Sequence, residues 1–244
     1  MQLKRLAPLA ICAAAIFPLS LAADTLSEDR VKALVYEAIL ENPEIIMEAV
    51  RLLEERQLQE QQSAAAAVLQ SERFKLEQDP NAIVLGNPEG DVTVVEFFDY
   101  NCPYCRRAMP EVDALIERDP NVRLVYREWP ILGEGSVFAA RAALAARKQE
   151  KYEEFHIAMM GMKGRAEETT VLRIARDIGL DVDQLRRDME SPEVEEHIQT
   201  SMELSNALGF SGTPSFVIGE ALIPGFVEAD VLIQQVEAVR DSEN

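Results

Sequence analysis

Two cysteines three positions apart, Cys102 and Cys105, stand where an apolar run ends and a helical pattern begins. The run Val92-Thr93-Val94-Val95-Glu96-Phe97-Phe98 is β-branched and aromatic. Turn residues, Asn87-Pro88-Glu89-Gly90-Asp91, precede it, so it reads as a buried strand. Arg106-Arg107-Ala108-Met109 opens the helix beyond. Pro103 suits a first helical turn, where no backbone N–H is required. The free N–H groups of that turn and the helix dipole favour negative charge on the Cys102 sulfur, and Arg106 and Arg107 add positive charge. These effects are expected to draw the thiol pKa from roughly 8.5 into a range of roughly 4–7. The thiolate is the attacking species in disulfide exchange. Cys105, one turn on, is placed to resolve a mixed disulfide.

Two other uses of the pair fit less well. A zinc site needs about four ligands, and only the distant His156 and His197 could join the cysteines. A purely structural disulfide across two intervening residues closes too short a loop to stabilise much. A dithiol that cycles is the preferred reading.

The start of the chain reads as a secretion signal covering residues 1–22. Lys4 and Arg5 precede an apolar stretch from Leu6 to Leu21, and Ser20-Leu21-Ala22 fits a small-residue cleavage site. The stretch is too short and interrupted to be read as a membrane span. Cleavage is expected after Ala22 or Ala23, and Cys12 leaves with the signal. The mature chain then keeps two cysteines, both in the one CxxC, so it is not a disulfide-stapled scaffold. The formal net charge is −19, and loss of Lys4 and Arg5 makes it more negative. Such a chain repels nucleic acid and anionic membrane surfaces, and no nucleic-acid partner is expected.

Residues 23–80 form a helical N-terminal segment. Thr25-Leu26-Ser27-Glu28 fits a capping box, and Val31, Leu34, Val35, Ala38 and Ile39 fall on one helical face. Asn42-Pro43 fits the cap and first position of a second helix. Two striped helices cannot bury their apolar faces alone, so self-association through residues 24–78 is expected, with the polar stretch Glu54 to Gln62 as a stalk. The second domain, 81–244, runs strand, strand, helix, strand, which suggests a βαβ unit with a parallel pair. A helical insert follows at about 136–209. Ser215-Phe216-Val217-Ile218 and Ala221-Leu222-Ile223 then read as a hairpin, and Ala229 to Val239 as a closing helix. His156 and His197 are expected on helix surfaces.

CxxC after a buried strand, a helical insert, then Gly212-Thr213-Pro214-Ser215 before a hairpin and terminal helix resembles the thioredoxin superfamily, DsbA type, from about Ile83 to the end. Ile39-Leu40-Glu41-Asn42-Pro43-Glu44-Ile45-Ile46 resembles the N-terminal region of the ScsC (suppressor of copper sensitivity C) and Com1-like branch. The resemblance implies an α/β protein: a thioredoxin fold with a helical insertion, preceded by an all-α oligomerisation segment. It implies that Cys102 is the nucleophile and Cys105 the resolving thiol, joined as a redox-active disulfide when oxidised. It implies a cis Pro214 facing the dithiol, with Thr213 turned toward an extended client. It also implies a buried acid at Glu96, whose pKa burial should raise and which could take the Cys105 proton. The dipeptide Pro103-Tyr104 differs from the Pro-His of the best-known oxidase and leaves redox poise open.

Three functions follow from this reading, none with a cofactor. The first is a periplasmic, oligomeric disulfide isomerase or reductase, acting on exported client proteins with cysteines and served by an inner-membrane thiol reductase. The second is a DsbA-type dithiol oxidase that introduces disulfides and needs a quinone-linked membrane partner. The third is a copper-binding or copper-tolerance protein. For Cu(I), the Cys102–Cys105 pair is a better site than Met159, Met160 and Met162, which read as packing.

Overall fold

The structure is a computed structural model and describes residues 27–243. The expected signal segment, Cys12 and Thr25 lie outside the described residues. Two compact units divide between Glu55 and Arg56.

The first unit contains helix α1 (Glu28–Glu41) and the beginning of helix α2 (Glu44–Glu77). Ser27 caps α1: its backbone is extended and its Oγ accepts the Arg30 N–H at 3.3 Å. Asn42 differs from expectation. Its side-chain amide donates to the Ala38 carbonyl at 3.2 Å, so it closes the end of α1 instead of opening α2. No residue of α1 is buried. Val35, Tyr36, Leu40, Ile46, Met47 and Leu53 all stand exposed.

The second unit is built on a five-stranded sheet of order β1-β3-β2-β4-β5, from β1 (Ile83–Gly86), β2 (Val92–Phe98), β3 (Val122–Glu128), β4 (Ser215–Ile218) and β5 (Ala221–Pro224). β2 and β3 run parallel, joined by helix α3 (Pro103–Arg118) as the expected βαβ unit, and the other pairs are antiparallel. α3 continues through Pro110. The insert comprises α4 (Glu134–Ala146), α5 (Tyr152–Met160), α6 (Glu168–Asp177), α7 (Val182–Asp188) and α8 (Pro192–Ala207), and α9 (Ala229–Glu243) closes the chain.

The period-two alternation of β2 divides its side chains between two cores. Val92, Val94 and Phe98 join the cluster that holds Cys102, Cys105, the α3 face and the insert. Val95 and Phe97 join Leu69 and Leu76 of α2, Trp129, Leu204 and Phe210 on the other face. Alternation therefore puts Glu96 on the cysteine side. β3 is buried along its whole length, and its two arginines bind the end of α2. Arg127, with no exposed surface, lies 2.8 Å from the Asp79 carboxylate and donates to the Lys75 carbonyl. Arg123 donates to the Glu77 carbonyl at 2.5 Å. The Asn81 carbonyl takes the His197 Nδ1–H at 3.1 Å.

Removing one partner of a buried ion pair leaves the other charge uncompensated in the core. Asp79→Ala is therefore expected to lower stability by about 3–5 kcal/mol, read from urea unfolding. A loss below about 1 kcal/mol would mean that Arg127 does not depend on this carboxylate.

Candidate active site

The turn between β2 and α3 carries the cysteines, and it is closed by its own polar groups. The Cys102 N–H donates to the Asp99 carbonyl at 3.0 Å. The Asp99 carboxylate takes the Asn101 N–H at 2.7 Å and the Leu132 N–H at 2.9 Å. Asn101 reaches into the insert: its Oδ1 accepts the Ala166 N–H at 2.7 Å, and its amide donates to Ser136 Oγ at 3.1 Å and to the Ala166 carbonyl at 3.3 Å. Gly135 makes this approach feasible, because a Cβ there would lie 2.0 Å from the Ala166 oxygen.

Cys102 is the N-cap of α3, with extended backbone, and Pro103 occupies the first turn. Both cysteines are free thiols and buried. Hydrogen bonding from the Cys105 thiol, then from the Thr213 side chain and the backbone N–H groups of Cys105 and Tyr104, pulls the Cys102 pKa from 9.0 to about 5 against the effect of burial. The Cys102 sulfur also lies 3.1 Å from the Thr213 carbonyl. Only the protonated thiol can donate there, and the donors to sulfur outweigh it. Cys105 receives the opposite treatment: desolvation, then its bond to Cys102 and the charge of Glu96, push its thiol far above the ordinary range.

Glu96 is buried on the cysteine side of the sheet. Desolvation, with Asp113 and Cys102 as further negative neighbours, raises its pKa from 4.5 to about 8. Thr213-Pro214 is a cis peptide, and Thr213 abuts the Cys102 sulfur. The structure thus brings Cys102, Cys105, Thr213, Pro214 and Glu96 to one place.

Of the two arginines expected to add positive charge, Arg106 acts on Cys102. Its attraction is electrostatic, and its guanidinium is committed to carbonyls: Tyr100 at 2.9 and 3.2 Å, and Gly164 at 2.9 Å. Arg107 lies over the rings of Tyr104 and Phe226, at 5.6 and 4.5 Å. His156 and His197 are buried, not on the surface. Each ring meets polar groups inside the fold: His156 Nδ1 meets the Tyr100 hydroxyl, and His197 meets the Asn81 carbonyl at Nδ1 and lies 2.7 Å from the Glu128 carboxylate at Nε2. Met159, Met160 and Met162 are core residues, in keeping with their reading as packing. Sequence reasoning passed over the roles of Asp99, Tyr100 and Asn101 in the turn. Their position directly before the first cysteine was the available signal.

Two titrations test this electrostatic layout. Thiolate absorbance of the reduced protein should rise with a midpoint near pH 5, and Thr213→Val should move that midpoint upward. A midpoint near 9 in the unaltered protein would remove the proposed donors. Glu96 gives the opposite sign to stability. Its folded pKa exceeds its unfolded one, so the folded protein holds an extra proton and loses stability as pH rises through about 8. His156, pulled down to about 4 by desolvation, acts only below about 6.5. In the oxidised protein, where the thiols do not titrate, the urea midpoint should therefore fall between pH 6.5 and 8, and Glu96→Gln should flatten that fall. An equal slope in both proteins would count against a buried acid.

Comparison with known proteins agrees with this geometry. Residues 93–237 match the family described as DSBA-like thioredoxin domain, and residues 28–65 match the copper resistance protein ScsC N-terminal domain. A thioredoxin-like oxidoreductase from Silicibacter pomeroyi DSS-3 is 70% identical, with a TM-score of 0.69, covering 69% of this chain and 98% of its own. Proteus mirabilis ScsC in a compact conformation is 30% identical, with a TM-score of 0.67, over 88% of this chain and 99% of its own. Among curated sequences, the Na(+)/H(+) antiporter NhaA 3 of Salinispora tropica is 32% identical over 137 residues. The chain spans only 21% of that antiporter's length. From the CxxC at the head of α3, the cis-proline loop beside it and the match over 93–237, the chain belongs to the DsbA-like thioredoxin family of thiol–disulfide oxidoreductases, with an ScsC N-terminal domain ahead of the catalytic one.

Proposed function

We propose that this protein is an exported, periplasmic enzyme that reduces and isomerises disulfides of exported client proteins, working as an oligomer. The observation that carries this reading is the first unit, whose apolar residues stand exposed along α1 and early α2 in a segment similar to the ScsC N-terminal domain. A second copy of the same helices is the cover that would bury them. Several active sites on one assembly would grip a misfolded client at more than one point.

The chemistry follows from the two thiol environments. The Cys102 thiolate attacks one sulfur of a client disulfide. That S–S bond breaks, a client thiolate leaves, and Cys102 is joined to the client. In isomerisation the freed client thiolate attacks another client disulfide, and a client thiolate finally displaces Cys102 unchanged. In reduction Cys105 attacks the Cys102 sulfur instead, giving its proton to Glu96 in the ionised form of that carboxylate. The second client thiolate leaves, the client has gained two electrons, and the enzyme is left as the Cys102–Cys105 disulfide. An inner-membrane thiol reductase would restore the dithiol.

A second reading, dithiol oxidation of clients, is favoured by one observation. Donors that lower the Cys102 pKa stabilise the reduced form, and so make the disulfide more oxidising. That direction would need a quinone-linked membrane partner. Cu(I) bound between the two thiolates, as in a copper-tolerance protein, fits the soft donors but has no geometric support beyond the pair itself.

The discriminating experiment is recovery of activity from scrambled ribonuclease by residues 24–244 and by a truncation at Arg56. The cut spares Leu69, Leu76 and Asp79, which belong to the second unit's packing. Repair by the longer protein and not by the truncation is expected. Equal oxidation of a reduced substrate by both, with repair by neither, would replace this reading with the oxidase.

A further inference from the structure

His156 is a buried titratable group that the chemistry above leaves unused. It lies on α5, in the insert, with 3% of its surface exposed. Its ring is enclosed by four aromatics. Tyr126 and Tyr152 stack on it at 4.6 and 5.9 Å, and Phe98 and Tyr100 meet it edgewise at 5.0 and 5.5 Å. A phenyl ring would fill such a box without the penalty of burying two nitrogens. What the imidazole adds is a hydrogen bond, between Nδ1 and the Tyr100 hydroxyl at 3.1 Å. Desolvation dominates over the attraction of Glu128, so the ring is neutral at ordinary pH.

Tyr100 sits inside the turn that ends in Cys102. Its hydroxyl is tied to α5, while its carbonyl takes two bonds from Arg106. The same guanidinium reaches the Gly164 carbonyl of the insert and attracts the Cys102 sulfur. The neighbours of Tyr100 in the turn are held separately, Asp99 by the Leu132 N–H and Asn101 by the Ala166 N–H. The Tyr100 side chain is thus the part of the turn that α5 controls.

We propose that His156 is a positioning residue for the dithiol: by holding the Tyr100 hydroxyl it fixes the turn, the Arg106 guanidinium and the Cys102 sulfur relative to the α3 donors. The proposal rests on Cys102 being the attacking thiol. Neither His156 nor Tyr100 touches the client. Their effect passes through the turn to the fraction of Cys102 present as thiolate.

The test uses the full mature chain with His156→Phe, Tyr100→Phe and the pair together. Cys102 alkylation by iodoacetamide is followed against pH, and the redox equilibrium is set against glutathione. Stability is measured separately by urea unfolding. Each single change should lower alkylation near pH 5 by about twofold, the loss of thiolate that an upward shift of about half a pKa unit gives at the midpoint, and the double change should do no more than either. His156→Asn, which keeps a polar atom near the Nδ1 position, should recover most of the loss. An unchanged alkylation profile and glutathione equilibrium in both single variants, whatever their stability, would overturn the proposal and leave His156 as a core residue only. Tyr100→Phe, the milder change, keeps the test valid if His156→Phe does not fold. An ordinary thiol midpoint in the unaltered protein would remove the reading of Cys102 and the proposal with it.

Discussion

A charge on the Cys102 sulfur has to be tolerated at the edge of a core that rejects charge around it. Desolvation acts on Cys102, Cys105 and Glu96 alike, and in each case it favours the neutral form. What separates them is the supply of donors. Cys102, at the head of α3, collects N–H groups and the Thr213 side chain. Cys105, one turn inside, gives its own thiol proton toward Cys102 and meets the negative field of Glu96. One environment thus makes one thiol acidic and its neighbour strongly basic. This asymmetry is what an attacking and a resolving thiol require.

The asymmetry depends on the placement of a short turn, and the turn is held from outside the thioredoxin strands. Asn101 is anchored on Ala166, and Arg106 on the carbonyls of Tyr100 and Gly164. The helical insert is therefore part of the active-site scaffold. On the opposite face of the sheet, Arg127 and Arg123 fasten the end of α2 to β3. The last turns of that helix belong to the catalytic unit's packing, although the helix begins in the other unit.

Much of this was legible in the sequence because it rests on local signals. The β2 run, Pro103 after Cys102, and the Gly219-Glu220 pair between two apolar runs each specify their element through neighbouring residues. The insert helices were readable from caps and glycines such as Asp181 and Gly179. What escaped was set by long-range partners. A histidine in a helical pattern looks like a surface residue until the Tyr100 hydroxyl or the Glu128 carboxylate is brought to it by the fold. Asn42 likewise carries the signature of either helix end, and only the direction of its side chain decides. Arg106 and Arg107, adjacent in sequence, diverge in space, one onto carbonyls and the other onto aromatic rings.

Gly135 lies far down the chain from the cysteines and has no chemistry of its own. Yet the space it leaves is what lets the Ala166 peptide reach Asn101 with both its N–H and its carbonyl. A methyl group at that position would collide with backbone, which cannot swing aside as a side chain can. The steric tolerance of this protein is therefore uneven in a way that distance from the thiols does not track: a methyl on the insert presses directly on the peptide that anchors the catalytic turn, whereas a change at exposed Tyr104, between the two cysteines, meets no such obstacle.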